Sequence, residues 1–266
     1  MKNKPSQLFI IGGGPSLNEG IEKGLWKKLE NKFTINMNFG YMYFNGTILT
    51  FVDSEFYNGY QGKKRIKWKD KEERRLEHIE NIKKMPFMVG QDIEDITEVR
   101  SNTILLKTGP TYYGRKSIHY NSMYKANLCG LFSLTLGICL LDVGEIYLLG
   151  FDSGPIAWID KNTPYTHFCQ KYPDAIKHRG FKQISYYQDR HEERDFGVYK
   201  DDPKIKIYNV SLASNIPDTV FPKITYETMF SLINSEENYS QDALRLSLRD
   251  DILKQVSIRG SNKEAK

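Results

Sequence analysis

Gln7-Leu8-Phe9-Ile10-Ile11-Gly12-Gly13-Gly14-Pro15-Ser16-Leu17 is the stretch on which the fold turns. A short apolar run that stops on three glycines predicts a strand covered on both faces, entering a tight turn. Ser16 and Asn18 stand where a following helix would be capped. Ile21, Leu25 and Leu29 recur at fourfold spacing and predict one apolar stripe over residues 20–29. Strand, loop and helix make half of a βαβ unit, which places the chain in the α/β class. Glycines 12 to 14 permit backbone angles and close approaches that a Cβ forbids, and a helix start just after them suits a phosphate. The stretch is neither GxGxxG nor GxxxxGK[ST], so it signals neither a NAD fingerprint nor a P-loop. A plain tight turn remains the alternative reading.

Residues 33–38 and 47–53 read as two further strands, both finished by polar side chains. Residues 69–84 are charged, with Leu76, Ile79 and Ile82 as a thin apolar seam, and predict an exposed helix closed by Pro86. Residues 86–89 and 103–107 read as short strands, and 109–125 as loop. Residues 128–141 are nearly all apolar or small and too long for a strand, so they predict a buried helix. Glu145-Ile146-Tyr147-Leu148-Leu149-Gly150-Phe151-Asp152 is the clearest buried strand. Residues 153–203 lose periodicity and read as a lid with short helices. A strand over 204–210 and a helix over 226–233 follow, then a polar, partly helical tail over 235–266. The expected architecture is α/β, Rossmann-like and three-layered, with a mostly parallel sheet. Residues 1–234 form one domain carrying the lid, and the C-terminal tail is helical in part.

Composition narrows the class. At 266 residues with 39 % hydrophobic and 13 % aromatic content, the chain has material for a sizeable core. Its three cysteines, Cys129, Cys139 and Cys169, show no CxxC or Cys/His spacing, which argues against a disulfide framework or a zinc site and for a reducing cytoplasm. The N-terminus lacks a signal-peptide apolar region, and no stretch has the length of a membrane span. The net charge of +5 comes from 38 basic against 33 acidic residues, a balance that is poor for nucleic-acid binding. The excess gathers in residues 63–75 and in the tail, which first suggests a solvated face.

Asn36, Asn38 and Asp53 follow strands and are expected along the carboxyl-end crevice where open α/β sheets bind ligands. Each also suits a loop-capping Asx turn. Asp152 ends its strand at the same expected edge, where two acids can hold a sugar or a metal. The spacing fixes no third ligand, so no dedicated metal site is expected. In the lid, Tyr165-Thr166-His167-Phe168, His178-Arg179, Tyr186-Tyr187, Arg190-His191 and Arg194 concentrate three of the five histidines. Histidine takes a proton from a hydroxyl near neutral pH, and Tyr and Arg steady a departing phosphate. There is no GxSxG or HExxH.

Ile11-Gly12-Gly13-Gly14-Pro15-Ser16-Leu17, Asn36-Met37-Asn38-Phe39, Phe51-Val52-Asp53 and Cys129-Gly130-Leu131-Phe132, followed by the strand ending at Asp152, together resemble a superfamily. It joins single-domain bacterial CMP-sialic-acid sialyltransferases, motility-accessory flagellin glycosyltransferases and archaeal 6-hydroxymethylpterin diphosphokinases. The resemblance covers about residues 7–233 in order. It implies that Gly12, Gly13, Gly14, Pro15, Ser16 and Asn38 hold the nucleotide of a CMP-type sugar donor, with Asp53 at the next ribose- or base-reading position. Where the sialyltransferases carry Ser-Gly, this chain has Cys129-Gly130. Tyr186, Tyr187 and either His178 or His191 stand for the lid groups that act on phosphate and acceptor, though the lid does not align residue by residue. The acidic signatures that carry magnesium in the diphosphokinases are missing here. The reading is therefore a nucleotide-dependent transferase, foremost a glycosyltransferase with a nucleotide-sugar co-substrate, a hydroxyl acceptor and a lid histidine as base. An ATP- and Mg-dependent diphosphotransferase and a non-catalytic nucleotide-binding module are the alternatives, and a homo-oligomer is compatible with all three.

Overall fold

The computed structural model describes residues 4–59, 71–92, 96, 98–107, 109–111, 124–125, 128–152, 196–200 and 203–261. The main strands are β1 (Gln7–Ile11), β2 (Thr34–Met37), β3 (Ile48–Phe51), β4 (Met88–Gln91), β5 (Thr103–Leu106), β8 (Glu145–Leu149) and β9 (Lys206–Asn209). They form one sheet in the order β5-β4-β3-β2-β1-β8-β9. All of its pairings are parallel. Between β5 and β8, β6 (Gly109–Thr111) and β7 (Tyr124–Lys125) pair as a separate parallel ribbon inside the stretch that reads as loop. Their ladder joins residues distant in sequence, which local patterning does not register.

Side-chain alternation along the strands makes the three layers. Leu8, Ile10, Ile35, Ile48, Val89 and Leu148 face one side, where they pack with α5 (Cys129–Cys139) and with the C-terminal helix α7 (Gln241–Ser261). Phe9, Ile11, Tyr147 and Leu149 face the other and meet α1 (Leu17–Glu22), α2 (Leu25–Leu29) and α6 (Tyr226–Leu232). On that same side Leu49, Phe51 and Met88 meet α3 (Ser54–Tyr57) and Ile82 of α4 (Lys71–Lys83).

Several expectations are revised. The helix expected over residues 20–29 is two, because Gly24 takes a left-handed φ of 81° and turns the chain between α1 and α2. In α4 the expected apolar seam is buried at Ile82, and His78, outside that seam, is buried as well. The Nε2–H of His78 donates to Phe56 O at 2.8 Å, while its Nδ1 bonds the Tyr41 hydroxyl at 2.9 Å. The tail is an integral part of the core, since Leu244, Leu248 and Ile252 of α7 are buried against the sheet. At the far end of the stretch read as a lid, Phe196 and Tyr199 are also core residues, and the Tyr199 hydroxyl bonds Thr135 Oγ1 at 2.7 Å. Among the described residues no helix is long and apolar enough to cross a membrane.

Candidate functional site

The chain leaves β1 in one direction to build β2 to β5 and returns on its other side as β8 and β9, so the strand order reverses at β1. Open α/β sheets bind ligands outside the carboxyl ends of the strands at such a point. Here that edge gathers the loop after β1, Asn38 after β2, Asp53 after β3, the start of α5 and the turn after β8.

The glycine loop is stitched to the turn after β8. The Gly12 amide donates to Leu149 O at 2.7 Å, the Gly14 amide to Gly150 O at 2.8 Å, and the Ser16 amide to Asp152 Oδ2 at 2.8 Å. A Cβ on Gly12 would lie 2.7 Å from Gly150 O, and one on Gly14 would lie 2.2 Å from Asp152 Oδ2. Glycine is needed here because two backbone segments and a carboxylate meet without room for a side chain. Three amides with which a phosphate cradle would be made are thus engaged internally. The next amides are also used, Leu17 N with Gly14 O at 3.2 Å and Asn18 N with Pro15 O at 3.1 Å. Ser16, not Asn18, occupies the cap position of α1, and its side chain makes no cap hydrogen bond.

Asp152 lies beneath this loop, 2 % exposed. Its expected partnership with Asp53 at an open edge is not what the structure shows: Asp53 is exposed, while Asp152 is turned onto Ser16. Burial pushes the Asp152 carboxyl above the ordinary carboxylate range, against the opposing pull of Ser16 and Ser211 beside it. Among the described residues its Oδ1 and the Tyr226 hydroxyl are buried without a hydrogen-bond partner. Among the described residues no three His, Cys, Asp or Glu side chains converge as metal ligands would.

Asn36 also departs from expectation. It is 1 % exposed within β2, and its Nδ2 donates to Phe44 O, so it braces the following loop instead of lining the crevice. Asn38 is the residue that reaches the edge. It opens the 3-10 turn Asn38–Met42 at a left-handed φ of 45°, which asparagine tolerates better than most side chains.

The helix α5 is eleven residues long, and its N-terminus faces this edge because it runs back antiparallel to the strand that follows it. The first helical amides, Cys129 to Leu131, have no intrahelical acceptor, and the cap residue Leu128 is extended and has no capping side chain. The helix dipole adds partial positive charge there, which makes this terminus better suited to an anion than the start of α1. Gly130 lets the helix approach Phe151, whose ring carbon would stand 2.7 Å from a Cβ at that position. The Cys129 thiol is turned inward, 3.4 Å from Asn38 Oδ1 and 3.5 Å from Thr50 O. Enclosure pushes its pKa far up, helped by the Asp53 carboxylate nearby, so it is held as the neutral thiol.

One group of edge residues was not singled out in the sequence. Asn209 Nδ2 donates to Ser214 Oγ at 2.8 Å, Ser214 Oγ donates to Phe151 O at 2.7 Å, and the Asn215 amide donates to Asp152 O at 2.9 Å. The polar run Asn209-Val210-Ser211, with Ser214-Asn215 just after a strand, was the available signal. His178, His191, Tyr186 and Tyr187 lie outside the described residues, as does most of the expected lid.

No family model matches the sequence, and no curated protein matches it. A structural match exists to the solved structure of the MAf glycosyltransferase from Magnetospirillum magneticum AMB-1, with a TM-score of 0.50 at 12 % identity. The match covers 96 % of this chain and 37 % of that one, so this chain spans little more than a third of its length. At that identity the likeness is one of fold, and it agrees with the Rossmann-like three-layer architecture described above.

Proposed function

We propose that this chain is a transferase of glycosyltransferase type that binds a nucleotide-activated sugar in the crevice at the carboxyl edge of β1, β2 and β3. The observation that carries the reading is the uncapped N-terminus of α5 opening beside Asn38 and Asp53. Amide donors for a phosphate thus stand next to an amide and a carboxylate suited to a ribose or base. The glycosyltransferase named by the structural match supports the reaction class. In this reading the glycine loop shapes the crevice floor through Gly150 and Asp152, and the phosphate lies on α5. A hydroxyl acceptor attacks the anomeric carbon as the nucleotide leaves, and a lid histidine, His178 or His191, takes the acceptor proton. Tyr186 and Tyr187 steady the leaving phosphate. A CMP-type donor is the first to test because of the resemblance in the glycine loop, Asn38 and Asp53.

Calorimetry with CMP, UDP, GDP and ATP, each with and without magnesium, tests the proposal. A pyrimidine nucleotide that binds without magnesium supports it. Tight, magnesium-dependent binding of ATP alone moves the chain to the diphosphotransferase class and overturns it. Once a donor and acceptor are identified, full turnover in both His178→Ala and His191→Ala would remove the histidine from its role.

A further inference from the structure

Asn38 and Cys129, 91 positions apart in the chain, meet at the carboxyl edge of the sheet. The backbone around the thiol is tightly held. Ser133 Oγ donates to Cys129 O at 2.8 Å and accepts from Thr50 Oγ1 at 2.7 Å, and Thr50 Oγ1 also lies 3.1 Å from Asn36 O. These bonds fix the start of α5 against the ends of β2 and β3. The protonated thiol lies 3.4 Å from Asn38 Oδ1 and 3.5 Å from Thr50 O; its single proton goes to the nearer oxygen, that of Asn38, while the sulfur accepts from the backbone amides of Asn38 and Val52. A thiol that faces carbonyl oxygens acts as donor. An asparagine that accepts through Oδ1 must then present its NH2 group on the other side.

We propose that Cys129 is a positioning residue: its thiol fixes the Asn38 amide with Oδ1 inward and Nδ2 toward the crevice, so that the site reads a hydrogen-bond acceptor on its ligand. The acceptor is a carbonyl oxygen or ring nitrogen of a base, or a sugar or phosphate oxygen. The ligand part of this inference rests on the nucleotide-donor reading above, whereas the orientation of Asn38 does not. A serine at position 129 keeps a donor, an alanine removes it and frees the amide to flip, and an aspartate at position 38 has no NH2 group to present.

The experiment uses the full chain and two readouts. The first is affinity for whichever of CMP, UDP, GDP and ATP the wild type binds best. Cys129→Ser should stay within about threefold of wild type, and Cys129→Ala should lose about tenfold, equivalent to roughly 1.4 kcal/mol. Asn38→Asp should lose at least as much. The second readout is the side-chain NH2 resonance pair of Asn38 in the unliganded protein, which should hold its position in Cys129→Ser and shift or broaden in Cys129→Ala. An unmoved Asn38 resonance in Cys129→Ala overturns the proposal, and so does wild-type affinity in either Cys129→Ala or Asn38→Asp. If the wild type binds none of the four nucleotides, the donor reading falls, while the resonance pair still decides the orientation.

Discussion

Asp152 and Gly14 define the site at the scale of single residues. The Asp152 carboxyl has its pKa raised by burial from an ordinary value of 3.8. As pH rises through 3.8 the unfolded chain loses this proton before the folded chain does, so between 3.8 and the raised folded value the folded state binds more protons and stability falls with rising pH. Asp152→Asn keeps an oxygen for the Ser16 amide and removes the buried charge. It should melt above wild type at pH 8, with the gap closing as pH falls toward 4, and thermal melts across that range will check it. Gly14→Ala should be destabilised by roughly 1–3 kcal/mol in urea unfolding, because the new methyl meets Asp152 Oδ2 and Gly150 O. The need for glycine at a close approach was legible in the sequence, but the partner it approaches was not. The Ser16–Asp152 bond spans 136 positions, and no local pattern records a contact of that reach.

The same division runs through the elements. Buried strands such as Glu145–Leu149 announce themselves by unbroken apolar runs, and α5 by an apolar run too long for a strand. The α4 helix shows where periodicity falls short, because its charged composition hides a buried imidazole. His78 joins α4 to the 3-10 turn through Tyr41 and to α3 through Phe56, and Asn38 opens that same turn. Burial lowers the His78 pKa from 6.5; the Phe56 carbonyl opposes this, and the Arg100 charge adds to the lowering. With a depressed folded value, the stabilisation is complete above pH 6.5 and is lost as pH falls below it, where the unfolded chain takes up the proton first. His78→Gln should flatten the acid limb of a stability-against-pH curve. A limb as steep as that of wild type would show that His78 does not control it.

For the whole molecule, the C-terminal helix is the test of what holds the sheet. Arg245 donates from Nη2 to Gly46 O at 2.9 Å and from Nε to Thr47 O at 3.3 Å, and Lys32 Nζ donates to Asn234 O and Glu237 O, each at 2.7 Å. These bonds bring the last quarter of the chain back to the start of β2 and β3. Leu248→Ala should cost about 2–5 kcal/mol in denaturant unfolding, the scale of a fully buried leucine rather than of a surface tail. A cost below 0.5 kcal/mol, the range of surface substitutions, would return α7 to the status of an appendage. The one-dimensional pattern determined the class of the protein, its main buried strands, its buried helix and the presence of a glycine turn at the sheet edge, because apolar periodicity and backbone sterics act locally. The bonding of the loop amides to the turn after β8, the turning of Asn36 away from the crevice while Asn38 reaches it, and the arrival of the first-turn amides of α5 there came with tertiary assembly. Those outcomes depend on hydrogen bonds closed between segments far apart in the chain, and their partners exist only once the sheet has formed.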